Sequence, residues 1–407
     1  MRKMKDSGIE WIGEIPENWG CSKAKYYIQI NNGSDPKTEG DIPVYGSGSG
    51  CFKTCGESKD GPAVLLGRKG TVDIPRYIEG KYWNVDTAFD VKTDETSLLL
   101  KYYFYLSTCF DYRFYTATTT LPSMTQTSYE NMFIPVPDID MQHKIVAYIE
   151  SKCKELDMII AAKEKTNELL KERRQSIIYE AVTKGLDPTA PMKDSGIEWV
   201  GEIPESWSVW RMKHLAKEPL QYGANATGVE FKEDIPRYVR ITDITADRNL
   251  SDEGKQSLEP DTAQAYMLED GDILFARSGA TAGKSFYYES KHGPCCFAGY
   301  LIKLSTDQNK VLSKFLYYYT LTQAYDSWTQ QIFIQATIQN IGADKYSNLW
   351  FAIPDTHREQ IEIVAYLDQK CAEIDSLISA NNSTIEKLKE YRQSVIYEAV
   401  TGKVEIY

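Results

Sequence analysis

The chain says one thing twice. Met4–Trp19 recurs as Met192–Trp207 with 14 of 16 positions identical, at an offset of 188 residues. Further matches follow in the same order. Asp41–Tyr45 matches Asp234–Tyr238 at 193, and Val64–Gly70 matches Ile273–Gly279 at 209. Lys101–Tyr105 matches Lys314–Tyr318 at 213, and Met124, Tyr129, Asn131 and Pro137 match Ile341, Tyr346, Asn348 and Pro354 at 217. Ile145–Tyr148 matches Ile363–Tyr366, and Arg174–Thr183 matches Arg392–Thr401, both at 218. The offsets rise and never fall. This is one tandem duplication with about 30 residues added in the second copy. Any fold must accommodate two versions of one plan.

Each half reads as an arm, a globular segment and a long helix. The boundaries are an arm at 1–19, a first globular domain at 20–141 and a central helix at 142–183. A linker repeating the arm at 184–207, a second globular domain at 208–359 and a C-terminal helix at 360–407 follow. The globular segments carry short β-branched and aromatic runs punctuated by Gly and Pro. Strands are predicted at Ala63–Leu66, Arg237–Thr242, Ile273–Arg277 and Gly299–Leu304. One helical stretch is predicted in each, near Leu98–Phe110 and Val311–Tyr325. The fold class is therefore α+β.

Gln142–Thr183 and Gln360–Thr401 contain neither Pro nor Gly. At 1.5 Å per residue each helix would run about 63 Å. Apolar residues recur at steps of three and four: Ile145, Ile149, Leu156, Ile160, Leu170, Ile177 and Ala181 in one. The other has Ile363, Leu367, Ile374, Ile378, Ile385, Leu388, Val395 and Ala399. Such stripes are packing seams. Polar residues interrupt both at matching places, Lys163 with Asn381 and Arg174 with Arg392. Each seam needs a partner, and the equal helix of the same chain is the nearest. A parallel pair would force the 24-residue linker to return about 63 Å nearly extended, against a limit of about 80 Å. An antiparallel intramolecular coiled coil is expected, separating two pseudo-symmetric α+β domains.

Composition removes several classes. No run of 18 apolar residues exists, so no transmembrane helix is predicted. Met1–Ser7 lacks the apolar core of a secretory signal, so a cytoplasmic location is expected. Eight cysteines in 407 residues without a CxxC pair, and four scattered histidines, predict reduced structural thiols and no metal site. The net charge of −12 is uneven. Residues 20–137 hold 12 basic and 13 acidic side chains, residues 208–355 hold 15 and 18, and the rest hold 19 and 27. Whole-chain charge is a poor guide to any one face.

Two diverged copies held apart suit a ligand with two parts. Duplex DNA is the obvious one, since its strands are related by two-fold axes. Identical copies would read a palindrome, unlike copies an asymmetric site. The arm GIEWIGEIPE, the GDILFARSGATAGK block at Gly271–Lys284 and the helix end RQSIIYEAVTKG at Arg174–Gly185 resemble the specificity subunit of prokaryotic type I DNA restriction-modification systems. The resemblance covers essentially the whole chain. It implies that the globular segments are target-recognition domains and that the long helices are spacers. It also implies that two methyltransferase subunits dock on those helices. They would methylate adenine N6 in a bipartite target, using S-adenosylmethionine. Restriction subunits, where present, would cleave with ATP and Mg. The resemblance implies no catalytic residue and no cofactor in this chain.

Local motifs do not oppose this. Gly279-Ala-Thr-Ala-Gly283-Lys284-Ser285 has three residues between its glycines where a P-loop needs four. Asp73, Glu79 and Lys81 have a loose nuclease spacing without a counterpart in the other copy. No Asn-Pro-Pro-aromatic motif for adenine methylation and no GxSxG element occur. The repeat then picks out base-reading candidates, because Arg, Lys, Asn, Gln, Ser and Thr are the residues that reach base edges. Arg68 with Lys69, and Arg277 with Ser278, end matching strands. Thr118, Thr119, Thr120 and Gln126 lie in a polar segment matched by Gln335, Gln339 and Asn340. Tyr45 and Ser47 sit in a glycine-rich turn that permits close backbone approach, and Arg240 lies on a predicted strand. The rival reading is a two-headed coiled-coil adaptor for protein partners, motivated by the acidic balance; salt-dependent binding to duplex DNA separates the two.

Overall fold

The computed structural model describes residues 2–116, 122–245, 247–334 and 340–407. The chain divides into two compact units, Met1–Glu164 with Asn381–Tyr407, and Lys165–Ala380.

In each unit the arm is folded as a hairpin that precedes the globular segment. Met4–Asp6 pairs with Glu14–Pro16, and Met192–Asp194 pairs with Glu202–Pro204, in the same register. The turn is fixed the same way twice. The Asp6 and Asp194 carboxylates accept from the N–H groups of Gly8 and Gly196 at 2.9 Å. Gly8 and Gly196 have φ of +72° and +69°, which favours glycine.

The core of each globular segment is a four-stranded antiparallel sheet. In the first unit the order is Ile28–Asn32, Ala88–Thr93, Ala63–Gly67, Arg76–Ile78; in the second it is Gln221–Tyr222, Leu301–Leu304, Ile273–Ala276, Ser285–Tyr287. The central strands Ala63–Gly67 and Ile273–Ala276 are buried along their whole length, so they read as unbroken apolar runs. A second sheet in each unit contains one parallel pair. Trp83 and Asn84 lie opposite Val44 and Tyr45, and Cys295–Phe297 lies opposite Arg237–Val239. A two-stranded ribbon, Gly20–Lys23 with Phe133–Val136 or Trp207–Arg211 with Trp350–Pro354, leads into the following long helix.

The expected strands are present: the one expected at Ala63–Leu66 runs one residue further, to Gly67, and the other three are shorter. The Arg237–Thr242 run stops at Val239 and turns into a 3₁₀ segment at Ile241–Asp243. The helix expected at Leu98–Phe110 spans Leu100–Ser107. The one expected at Val311–Tyr325 is broken into Ser313–Tyr319 and Gln323–Ile334. The Thr320 and Thr322 hydroxyls donate back to the carbonyls of Tyr317 and Tyr319, which competes with helix continuation.

The long helices run Ile139–Lys184 and His357–Val400. Within the first unit, Ile145, Ile149 and Cys153 pack in one core with Ile396, Ala399 and Val400. Within the second, Ile177, Ala181 and Val182 pack with Ile363, Leu367 and Ile374. The start of each helix thus meets the end of the other, and the pairing is antiparallel. The polar interruptions pair across the seam. Lys163 donates to Asn381 at 3.1 Å, and Arg392–Asp157 and Arg174–Asp375 form ion pairs at the same distance, 3.6 Å. Among the described residues no helix is long and apolar enough to cross a membrane.

Candidate functional site

The Ala63–Gly67 strand ends at a turn that gathers distant parts of the first unit. Tyr129 donates its hydroxyl to Gly67 O at 2.8 Å. Arg68 N–H donates to Thr87 O at 2.8 Å, and Arg68 O accepts from Met124 N–H at 2.9 Å. Lys69 bridges Ser123, and Gly70, at φ +81°, donates to Pro122 O at 2.9 Å. Ser47 N–H donates to the Thr87 hydroxyl at 3.3 Å, and Val85 N–H to Tyr45 O at 3.0 Å. Tyr45, Ser47, Arg68 and Lys69 therefore share one end of the domain. Gln126 opens the helix Gln126–Asn131 just beyond, with its amide on Glu130 at 2.7 Å. Thr118, Thr119 and Thr120 lie outside the described residues.

The Arg68 guanidinium donates to Asp86 O at 3.4 Å and lies 5.8 Å from the Phe89 ring centroid. Among the described residues it has no carboxylate partner, and Lys69 beside it is exposed. An arginine with a ring behind it and unused donors is poised for an acceptor from outside. Arg76, which the sequence did not suggest, lies 5.4 Å from the Tyr45 ring and donates to Gly46 O. Burial holds Arg76 below the ordinary arginine value, with Tyr45 opposing that shift.

The second unit repeats the arrangement. Tyr346 donates to Ala276 O at 3.1 Å. Arg277 N–H donates to Tyr300 O at 3.0 Å, and Arg277 O accepts from Ile341 N–H at 2.8 Å. Ser278 bridges Asn340, as Lys69 bridges Ser123. The Arg277 guanidinium lies 4.9 Å from the Tyr222 ring, and its Nε is buried with no partner among the described residues. The Tyr222 hydroxyl accepts from Ala343 N–H at 2.9 Å. Tyr222 and Tyr300 are 44% and 60% exposed, so the turn is flanked by two accessible rings. Gln335 and Gln339 lie outside the described residues.

Arg240 is placed differently. Its guanidinium grips the buried Asp243 carboxylate with bonds of 3.1 and 2.7 Å and also donates to Gly254 O at 2.8 Å. The hydrogen bonds to Asp243 raise Arg240 above the ordinary arginine value despite partial burial. Three of its five donors are thus held inside the domain.

The Gly279–Ser285 segment does not present its backbone to a phosphate. Ala282, Gly283 and Lys284 donate their N–H groups to the carbonyls of Gly279, Ala276 and Thr281 at 2.9–3.0 Å. Among the described residues no group of three His, Cys, Asp or Glu side chains could hold a metal ion.

The family described as type I restriction modification DNA specificity domain matches this chain over residues 16–171 and 228–387. The specificity subunit of the type I restriction enzyme StySPI from Salmonella potsdam is 26% identical over 282 residues, 68% of this chain. That alignment spans 58% of the relative's own length. The MjaVIII specificity subunit from Methanocaldococcus jannaschii is 23% identical over 390 residues, covering 94% of this chain and 83% of that one. A solved chain from a study of complex assembly and conformational transition in a type I R-M system superposes with a TM-score of 0.72 at 15% identity, covering 96% of this chain and 99% of that one, and so shares the fold. With the family match spanning both halves and well over half of the residues, the chain belongs to the type I restriction modification DNA specificity domain family.

Proposed function

We propose that this chain is the DNA-recognition subunit of a type I restriction-modification complex and carries no catalytic activity itself. Each globular domain, 20–141 and 208–359, reads one half-site, and unlike domains make the target bipartite and asymmetric. The long helices set the spacing between half-sites and dock two methyltransferase subunits. Those partners methylate adenine N6 with S-adenosylmethionine. Restriction subunits, where present, cut with ATP and Mg. The observation that carries this reading is the equivalence of Arg68 and Arg277. Each ends a buried strand, is clamped by the same pair of backbone bonds, lies by an aromatic ring and lacks a carboxylate among the described residues. Arg is the commonest specific reader of guanine edges.

The test is methylation sequencing of DNA from cells making the chain with its cognate methyltransferase subunit. One motif with two specified parts and an unspecified spacer is expected. Methylation without a motif, or a complex whose DNA binding ignores salt, overturns the reading.

A further inference from the structure

The two-stranded ribbon of each unit carries a second repeated cluster that the half-site reading does not use. In the first unit Lys23 stands directly opposite Phe133; in the second Arg211 stands opposite Trp350. Lys23 Nζ donates to Asn131 Oδ1 at 3.2 Å and lies 5.8 Å from the Phe133 ring. Arg211 Nη1 donates to Asn348 Oδ1 at 3.2 Å, with its guanidinium 4.6 Å from the Trp350 ring. Each asparagine is itself held, because its Nδ2 donates back four residues, to Thr127 O and Asp344 O, both at 2.9 Å. That bond aims Oδ1 at the cation. A Lys has become an Arg and a Phe a Trp, yet cation, amide and ring stand in one arrangement in both copies.

A staple for the ribbon would need the ring and the amide but no charge. Among the described residues neither Lys23 nor Arg211 pairs with a carboxylate. Lys23 uses one of three donors and Arg211 one of five. Lys25 and Lys213, two residues further on in each copy, are exposed and also lack a carboxylate partner among the described residues. Two cations so placed in a chain of net charge −12 are a local reversal of sign. The cluster is also tied to the base-reading turn. Met124, bonded to Arg68, precedes the helix Gln126–Asn131, about 9 Å long, and Asn131, bonded to Lys23, is its last residue. Ile341 precedes the helix Ala343–Ser347 and Asn348 directly follows it, at the equivalent end.

We propose that Lys23 with Lys25, and Arg211 with Lys213, grip backbone phosphates of duplex DNA at a fixed offset from the Arg68 and Arg277 turns. The proposal rests on the DNA-recognition reading and adds a sequence-independent contact to it. Phosphate contacts set register and orientation while base contacts specify. A cation oriented by an amide and a ring is prepared for an anion before it arrives.

The experiment uses the full chain assembled with its methyltransferase partner. Binding to a duplex carrying the target and to one without it is measured across a potassium chloride series. Lys23→Gln and Arg211→Gln are each expected to lower the slope of log affinity against log salt by about 0.9. Both duplexes should weaken by the same factor, and the methylated motif should stay the same. Lys23→Arg and Arg211→Lys should restore the slope. Lys25→Gln and Lys213→Gln change exposed side chains that cannot unfold the ribbon and should lower the slope as well. Unchanged slopes in these variants overturn the proposal even if the complex selects its motif. A complex that loses its methyltransferase subunit on these changes also overturns it and makes the patch a protein surface. Absence of any motif in the parent complex would sink the DNA-recognition reading, while the slope on the untargeted duplex would still test the grip.

Discussion

Gln142 and Gln360 are the same buried fastener used twice. Gln142 Oε1 accepts from Leu99 N–H at 2.8 Å, and Gln360 Oε1 accepts from Leu312 N–H at 2.9 Å. Their Nε2 groups donate to Pro137 O and Pro354 O at 2.9 and 3.0 Å, and also to Ser97 O and Lys310 O. Each side chain therefore ties the first turn of a long helix to the N-terminal end of a domain helix, where backbone N–H groups lack helical partners.

Replacing either glutamine by Leu should destabilise its own unit. The leucine N–H left buried without an acceptor costs about 1–3 kcal/mol by itself. Denaturant unfolding would measure the loss, and hydrogen exchange would place it. Gln142→Leu should accelerate exchange around Leu99–Tyr103, and Gln360→Leu around Leu312–Leu316. A variant as stable as the parent would mean the network is dispensable.

Arg68→Ala and Arg277→Ala should each relax one base position in one half-site, by about 1–3 kcal/mol of discrimination. Arg240→Ala should act differently. It strips the buried Asp243 of its charge partner, so a fall in melting temperature is expected rather than a changed motif. Methylation sequencing with thermal melting of each variant distinguishes the outcomes.

The architecture was legible because it rests on order. Matches such as Met124 with Ile341 and Tyr129 with Tyr346 mark positions whose backbone and hydroxyl bonds recur in the fold. The site was legible only in part, for a physical reason. Arg68 lies by Phe89, on a strand next to its own, whereas Arg277 lies by Tyr222, on the sheet's edge strand. The two rings are not equivalent positions, so the repeat could not point to them. Thr87 and Tyr300 reach their arginines through pairings remote in sequence. Arg240 looked free as a strand residue because the Asp243 three residues on reads equally well as a surface charge. Lys23 and Arg211 could have been found, since both lie four residues beyond the repeated arm at matching offsets.

Thiol chemistry should report the fold. Burial pushes Cys295 up to about 11, with Arg237 opposing it, and pushes Cys296 up to about 12. Cys109 is likewise raised by burial to about 12. At neutral pH these remain protonated and unreactive, since the thiolate is the nucleophile. Cys51 is exposed. Iodoacetamide on the native chain should label Cys51 first, and the buried Cys295 and Cys296 only after denaturation. Rapid native labelling of the Cys295–Cys296 pair would mean that the second sheet opens.

If the helix pair sets the spacing between half-sites, lengthening both helices together should lengthen the spacer. Four residues added beside Lys163 and four beside Asn381 keep the seam nearly in phase, at 3.6 residues per turn, and add about 6 Å. At 3.4 Å per base pair that is about two more unspecified positions. The specified bases should stay as they are. A motif that keeps its spacer would separate the helices from the ruler.

The two heads should be exchangeable. Each globular segment has its own core and its own arginine turn, and every bond described around Arg68 and Arg277 stays within one unit. Bases read by side chains that share no contact should contribute nearly additive energies. Replacing residues 20–137 by the corresponding segment of a relative should therefore give a hybrid target, new in one half and unchanged in the other. Asn340→Ala, in the second unit beside Ser278, should add its own relaxation to the hybrid without touching the new half-site. Methylation sequencing of the parent, the hybrid, the single variant and the combination completes the cycle. If exchange of the first segment altered the half-site read by the second, or if Asn340→Ala relaxed both halves together, recognition would not be divided between two independent heads.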